Sequence, residues 1–172
     1  MAKSTFSGPI QSLAGFISAG NANVVSLTAD TTLTVADHAG KVLLCNDADG
    51  KFTLPSINVN SNGATAGDND FNNLNNIGAS FHFFVETAAT DMDILTDGTD
   101  KFKGSILISV DDGTIKGFVP GASNDVITMN GSTKGGIAGS IVSFTAIDTA
   151  TYMVHNSLLI GSGTIVTPYA DA

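Results

Sequence analysis

Turn signals recur along this chain at short intervals, and they leave room for strands but not for helices. Asp47-Ala48-Asp49-Gly50, Asp97-Gly98-Thr99-Asp100, Asp111-Asp112-Gly113 and Pro120-Gly121 each interrupt an apolar run. Asp and Gly suit these places because they tolerate the backbone conformations of a tight reversal. Between them the sequence alternates. Phe81, Phe83 and Val85 stand against His82, Phe84 and Glu86, and Leu33 and Val35 alternate with Thr. Alternation at period two marks a half-buried strand, and strands recurring every ~8–12 residues indicate a sandwich or barrel. No stretch carries an amphipathic helical pattern. Glu86 is the sole glutamate and there is no Arg, so surface helices lack their usual residues. The expected fold is all-β: a single-domain antiparallel β-sandwich or β-barrel, jelly-roll-like, with an extended N-terminal arm.

The clearest local unit is Gly40–Pro55, GKVLLCNDADGKFTLP. Two apolar arms flank an Asp/Gly turn, which predicts a β-hairpin closed by Pro55. Before it, strands are expected at Val24–Thr28 and Thr32–Val35. After residue 79, strands are expected around Phe81–Val85, Asp93–Leu95, Ser105–Val110, Thr114–Val119, Asp125–Met129, Ile141–Ile147, Thr151–His155, Leu158–Ile160 and Ile165–Thr167.

Two stretches break this grammar. Residues 1–20 lack clean periodicity, and Gly8-Pro9, Gly15 and Gly20 oppose a helix. They read as an arm whose anchors, Phe6, Ile10, Leu13, Phe16 and Ile17, pack on the domain formed by 21–172 or on a partner. Residues 56–78 hold eight Asn and three Gly, too long for an ordinary connection of about 4–6 residues. This excursion is either a tolerated surface insertion or a contact loop, with Asn69, Phe71, Leu74 and Ile77 as the candidate contacts.

Charge narrows the partners. Seven Lys face sixteen acidic residues, a net charge of −9. Nucleic acid and anionic membrane surfaces both draw on clustered cations, so neither is expected. No apolar run approaches the ~18–20 residues of a membrane span. Ser, Gly, Pro and Gln after Lys3 break up any signal-peptide core. A lone cysteine, Cys45, rules out an internal disulfide and fits synthesis in a reducing cytoplasm.

The reactive residue types are scattered. Asn46, Asp47 and Asp49 crowd one turn, and Asp91, Asp93, Asp97 and Asp100 another, but no EF-hand spacing follows. A weak cation site and ordinary turn chemistry are the two readings, and turn chemistry is the reading adopted. His38, His82 and His155 stand far apart, with no zinc-ligand spacing. Cys45 reads as a core residue. No G-x-S-x-G elbow occurs, although a Ser/His/Asp set could assemble in space. Gly135-Gly136-Ile137-Ala138-Gly139 lacks dinucleotide-loop spacing. No catalytic residue, metal or cofactor is therefore expected, and the chain is read as a non-enzyme.

Several motifs in order carry a resemblance. STFSGPIQSLAGF, GKVLLCNDADGKFTLP, DILTDGTDKFKGSI, GGIAGSIVSFTAIDTATYMV and a closing Gly-Ser-Gly together resemble small β-rich structural proteins of tailed bacteriophages, many of them head decoration (cement) proteins. The resemblance covers most of the chain except residues 56–78. It implies an all-β protomer, a homotrimer, on the outside of the virion capsid, gluing neighbouring major capsid protein subunits. The arm anchors are then the expected capsid contacts, and open strand edges could pair with capsid backbone. The alternative is a receptor- or glycan-binding module of a fibre or head spike, with the Asn-rich loop as its contact surface.

Overall fold

The computed structural model describes residues 23–57 and 76–172. The arm anchors Phe6, Ile10, Leu13, Phe16 and Ile17 lie outside the described residues, as do Asn69, Phe71 and Leu74. Ile77 is described: it is half-buried and packs against the core.

Thirteen strands and one helical turn occur among the described residues. β1 (Val24–Leu27), β3 (Val42–Cys45) and β5 (Ser80–Val85) lie side by side and parallel in one sheet. β2 (Thr31–Thr32), β4 (Lys51–Thr53) and β6 (Met92–Leu95) do the same in a second sheet. The chain therefore winds as a three-turn coil, visiting the large sheet and then the small one in each turn. Val24 sits beside Val42, and Val42 beside His82. The first step is 18 residues (24 to 42) and the second is 40 (42 to 82). The Asn-rich excursion occupies the longer second return.

Gly40–Pro55 is accordingly not a hairpin. Its arms, β3 and β4, belong to different sheets and share no ladder. The DADG stretch is a corner between sheets, and side chains tie it to its neighbours. Asn46 donates to Ser26 Oγ (2.7 Å) in the turn before and to Glu86 Oε2 (3.3 Å) in the turn after, while Thr87 donates to Asn46 Oδ1. The Lys51 amide donates to Asp30 Oδ1 at 2.9 Å. Gly50 is buried at the inside of the bend, where a Cβ would stand 2.7 Å from the Phe52 ring and 2.9 Å from the Asp47 Cβ.

The strand read at Thr32–Val35 is also corrected. β2 ends at Thr32, and Val35–His38 form one helical turn, α1. Thr34 caps it, its Oγ1 accepting from the Asp37 amide at 3.2 Å. Thr and Asp at this spacing satisfy a free N–H that a strand would leave to a ladder.

The second half closes the coil with both antiparallel and parallel pairs. β7 (Lys101–Gly104) and β8 (Ile106–Ser109) flank one edge of β12 (Thr151–Ile160) in parallel, and β9 (Ile115–Phe118) turns back on β8. β10 (Val126–Met129) pairs with β6, β11 (Ile141–Ala146) with β5 and β12, and β13 (Tyr169–Ala170) with β10. The strands expected at Thr151–His155 and Leu158–Ile160 are one strand. It is irregular opposite Ile141–Ser143, and Asn156 takes φ +46. No strand forms at Ile165–Thr167; Tyr169–Ala170 takes that place. The all-β class stands, and the sheets are mixed rather than purely antiparallel.

The core lies between the sheets. Phe52 of the small sheet stacks on Phe83 of the large one, with ring centroids 6.4 Å apart. Phe83 meets Phe144 edge-on at 5.6 Å, and Phe144 meets Phe102 at 5.2 Å. Each fully buried aromatic stabilises the fold by about 1.5–3 kcal/mol through burial alone.

Candidate functional site

Alternation sorts the large sheet into two faces. Leu43, Cys45, Phe81, Phe83, Val85, Val142, Phe144 and Val154 point into the core. Their neighbours form rows across the opposite face. One row runs Ser26, Leu44, Phe84, Ile141, Leu158, Leu107 and Gly117, each paired in register with the next. Phe84, Leu158 and Leu107 are 36%, 40% and 43% exposed, and Leu44 and Ile141 are partly exposed. The adjacent row runs Val24, Val42, His82, Ser143 and His155. Neither row contains a carboxylate, a lysine or an arginine.

Polar groups on this face bond to one another. His82 Nδ1 and Ser143 Oγ are 3.0 Å apart, His155 Nε2 and Thr145 Oγ1 2.9 Å, and Ser80 Oγ and Thr145 Oγ1 2.7 Å. Partial burial, and then the nearby His82, push the His155 imidazole below its ordinary value. The sequence reading placed His82 out of the core face, and it is there. A Ser/His contact does assemble, as Ser143 with His82. Among the described residues no carboxylate hydrogen-bonds His82 to orient it as a triad requires. Ser143 is 3% exposed in mid-strand, closed to a substrate.

The second assembly is the neck of the Asn-rich excursion. Asn76 Nδ2 donates to the Ser56 carbonyl at 2.8 Å, joining the two ends. The Ile57 amide donates to Asp100 Oδ2 (2.8 Å), Ser56 Oγ to Asp97 Oδ2 (2.5 Å) and the Tyr152 hydroxyl to the Pro55 carbonyl (2.5 Å). Burial alone would raise the Asp97 carboxyl. Hydrogen bonds from Ser56, Thr99 and the Asp100 and Thr99 amides outweigh it and hold the group at about 2. Burial raises Asp100, and the neighbouring Asp97 and Asp148 charges add to that. Sequence reading gave Asp97 and Asp100 only a turn or cation role. Their partner segment lies some 40 residues upstream, and no local signal links the two.

The remaining candidates fall apart in space. Burial pushes the Cys45 thiol up to about 12, so it is no nucleophile at neutral pH. His38 Nδ1 accepts from the Thr34 amide at 2.9 Å within α1. The neighbouring Asp49 carboxyl raises Asp47. Among the described residues no three His, Cys, Asp or Glu side chains gather as metal ligands. Gly135 and Gly136 are buried in the turn between β10 and β11, where no helix follows to receive a phosphate.

Fold and site define an all-β protein of two mixed sheets, the larger carrying two adjacent uncharged, partly apolar rows on its outer face. Comparison with protein-family models, with curated proteins and with solved structures finds no match.

Proposed function

We propose that this chain is a non-enzymatic structural protein of a phage virion. It decorates and cements the outside of the capsid by binding neighbouring major capsid protein subunits, and it assembles with copies of itself. The observation that carries this reading is the uncharged row through Phe84, Ile141 and Leu158 on a chain of net charge −9. A row of exposed apolar side chains along a sheet face suits a protein surface rather than a small substrate. Acidic residues elsewhere suit an exterior position, away from packaged DNA. β1 ends the strand order of the large sheet among the described residues, a place where capsid backbone could pair, and the arm anchors Phe6, Ile10, Leu13, Phe16 and Ile17 are the proposed side-chain contacts.

The test is to add purified protein to capsids that lack it and to image them by electron microscopy. Many copies over the outer surface, and shells that withstand higher temperature, are expected, because a ligand of the assembled state stabilises it. Absence of binding, or a few copies at one vertex, defeats the reading. Removal of residues 1–20 is expected to abolish attachment, and retained attachment removes the arm from the contact.

One observation favours a second reading, a receptor- or glycan-binding module. The neck bonds at Ser56, Ile57 and Asn76 hold both ends of the Asn-rich segment in a fixed place. Binding on a glycan array that is lost when residues 58–75 are replaced by a short linker identifies that module.

A further inference from the structure

We infer that the cleft beside β7 binds a short extended peptide bearing an acidic side chain, taken up against the open edge of the strand with its carboxylate on Lys103. This contact is separate from the apolar rows, since no residue of either row lines the cleft.

Topology makes the cleft. Among the described residues β7 pairs with β12 and with no other strand. Its neighbour β8 is covered by β9, in which Phe118 stands opposite Ile106. Beyond Phe118 the chain does not carry that ladder on along β7. Pro120 has no N–H to offer it, and the Phe102 amide finds its partner only at the Asn124 carbonyl, 3.0 Å away. Between these contacts lies a cleft of about 390 Å³, lined by β7 and residues 119–122. Val119, 73% exposed, and Pro120 give it an apolar wall. Gly104 leaves the strand bare of a side chain there. An open strand edge offers N–H and C=O groups to an added extended segment.

Charge selects the occupant. Lys101 and Lys103 both line the cleft, and no carboxylate does. The Lys101 ammonium is already engaged, donating to Asp125 Oδ2 at 2.6 Å and to the Gly98 carbonyl at 2.7 Å. That is the one ion pair among the described residues, and it leaves the exposed Lys103 ammonium uncompensated. The field of a chain with net charge −9 holds acidic partners off, so a cleft with cations and no carboxylate is where such a partner gains. One free cation suits one carboxylate, whereas a nucleic acid or an anionic membrane engages several cations at once. The strand edge and the apolar wall favour a peptide over a bare anion. Residues 1–22 hold no Asp or Glu, so the arm does not supply the carboxylate.

The experiment titrates the full chain against the peptide Val-Glu-Val-Glu-Val, fluorescein-labelled at its N-terminus and amidated at its C-terminus, and reads fluorescence anisotropy at low salt. Saturable binding is expected. Lys103→Gln, an exposed position, is expected to weaken it about tenfold through loss of the charged contact, and Lys103→Glu to abolish it. Lys51→Gln, away from the cleft, is expected to leave it alone. Peptides with Gln or Lys in place of Glu are expected not to bind, and N-methylation of every internal amide is expected to weaken the Glu peptide by removing its strand-pairing donors. Absence of saturable binding, equal binding of the Gln or Lys peptide, or binding that is unchanged in Lys103→Gln overturns the inference. Undiminished binding of the N-methylated peptide, or equal displacement by glutarate, also overturns it, because a carboxylate alone is then the ligand. So does equal displacement by an oligothymidylate. Binding that appears only when residues 58–75 are replaced by a short linker overturns it as well, because the excursion, with Asp68 and Asp70, is then the occupant. Capsid attachment is scored separately and is expected to survive Lys103→Glu, so a failure here leaves the proposed function standing.

Discussion

The Tyr152 hydroxyl donates to the Pro55 carbonyl at 2.5 Å across 97 positions of sequence. Tyr152 is a fully buried residue of β12, in the large sheet, and Pro55 follows β4, in the small one. The bond closes the core where the Asn-rich segment departs. Tyr152→Phe keeps the ring against Phe81 and leaves the carbonyl without this donor. A loss of about 1–2 kcal/mol is expected in urea unfolding. Faster hydrogen exchange at the Ile57 amide is expected to accompany it. An unchanged midpoint would show that water replaces the hydroxyl at no cost.

Asp97 sets an acid limb of stability. Its folded value of about 2 lies below the ordinary ~3.9 of an unfolded chain. Such a depressed carboxyl contributes stability that is full above about pH 4 and is lost as the pH falls through the folded value. Asp97→Asn is therefore expected to lower the melting temperature at neutral pH and to flatten its decline between pH 4 and 2. Asp100, raised by burial, works in the opposite sense, so the comparison must be wild type against the single variant. Parallel declines for both proteins would refute the assignment.

Phe83 joins the sheets through Phe52 and Phe144. Phe83→Ala is expected to cost about 3–5 kcal/mol in chemical denaturation, the usual loss for an aromatic removed from a packed core. Phe84→Ala, one position along and on the outer face, is expected to cost far less. The contrast tests the face assignment directly, because a reversed face reverses the ranking.

Gly104 ends β7 with φ +130, and a Cβ there would stand 2.2 Å from the Val154 carbonyl oxygen. Gly104→Ala is expected to destabilise the fold by about 2–3 kcal/mol, through unfavourable backbone conformation and displacement of β12. Gly113 has φ +84 with open space around it, so Gly113→Ala carries the conformational cost alone. Equal losses at the two positions would mean that the close approach to Val154 is relieved without consequence.

Much of the strand content was legible in the sequence, because alternation is local. Phe81, Phe83 and Val85 point inward and His82 and Phe84 outward, as their spacing indicates. The outer row was legible only in part. Phe84 stands out in its own strand, but nothing local reveals that Leu44, Ile141, Leu158 and Leu107 line up beside it. The neck was illegible, since Asp97 and Asp100 look like turn residues until Ser56 and Ile57 are brought to them. The helical turn at Val35–His38 was missed because a Thr-Leu-Thr-Val alternation outweighed the Thr34/Asp37 capping pair.

What the sequence by itself determined is the short strands, the turns between them and the inward side of the long ones. These follow from period-two burial and from residues that tolerate tight turns. Tertiary structure alone decided which strands pair. β3 and β4 are joined by a turn suited to a hairpin, yet each pairs with strands from the preceding and following turns of the coil. Pairing β3 directly with β4 would place both in one sheet. Splitting them lets Leu43 and Cys45 face Phe52 and Leu54 across a shared interior, where all four are buried. Burial on that scale depends on the whole coil being closed, and no single stretch of the chain encodes it.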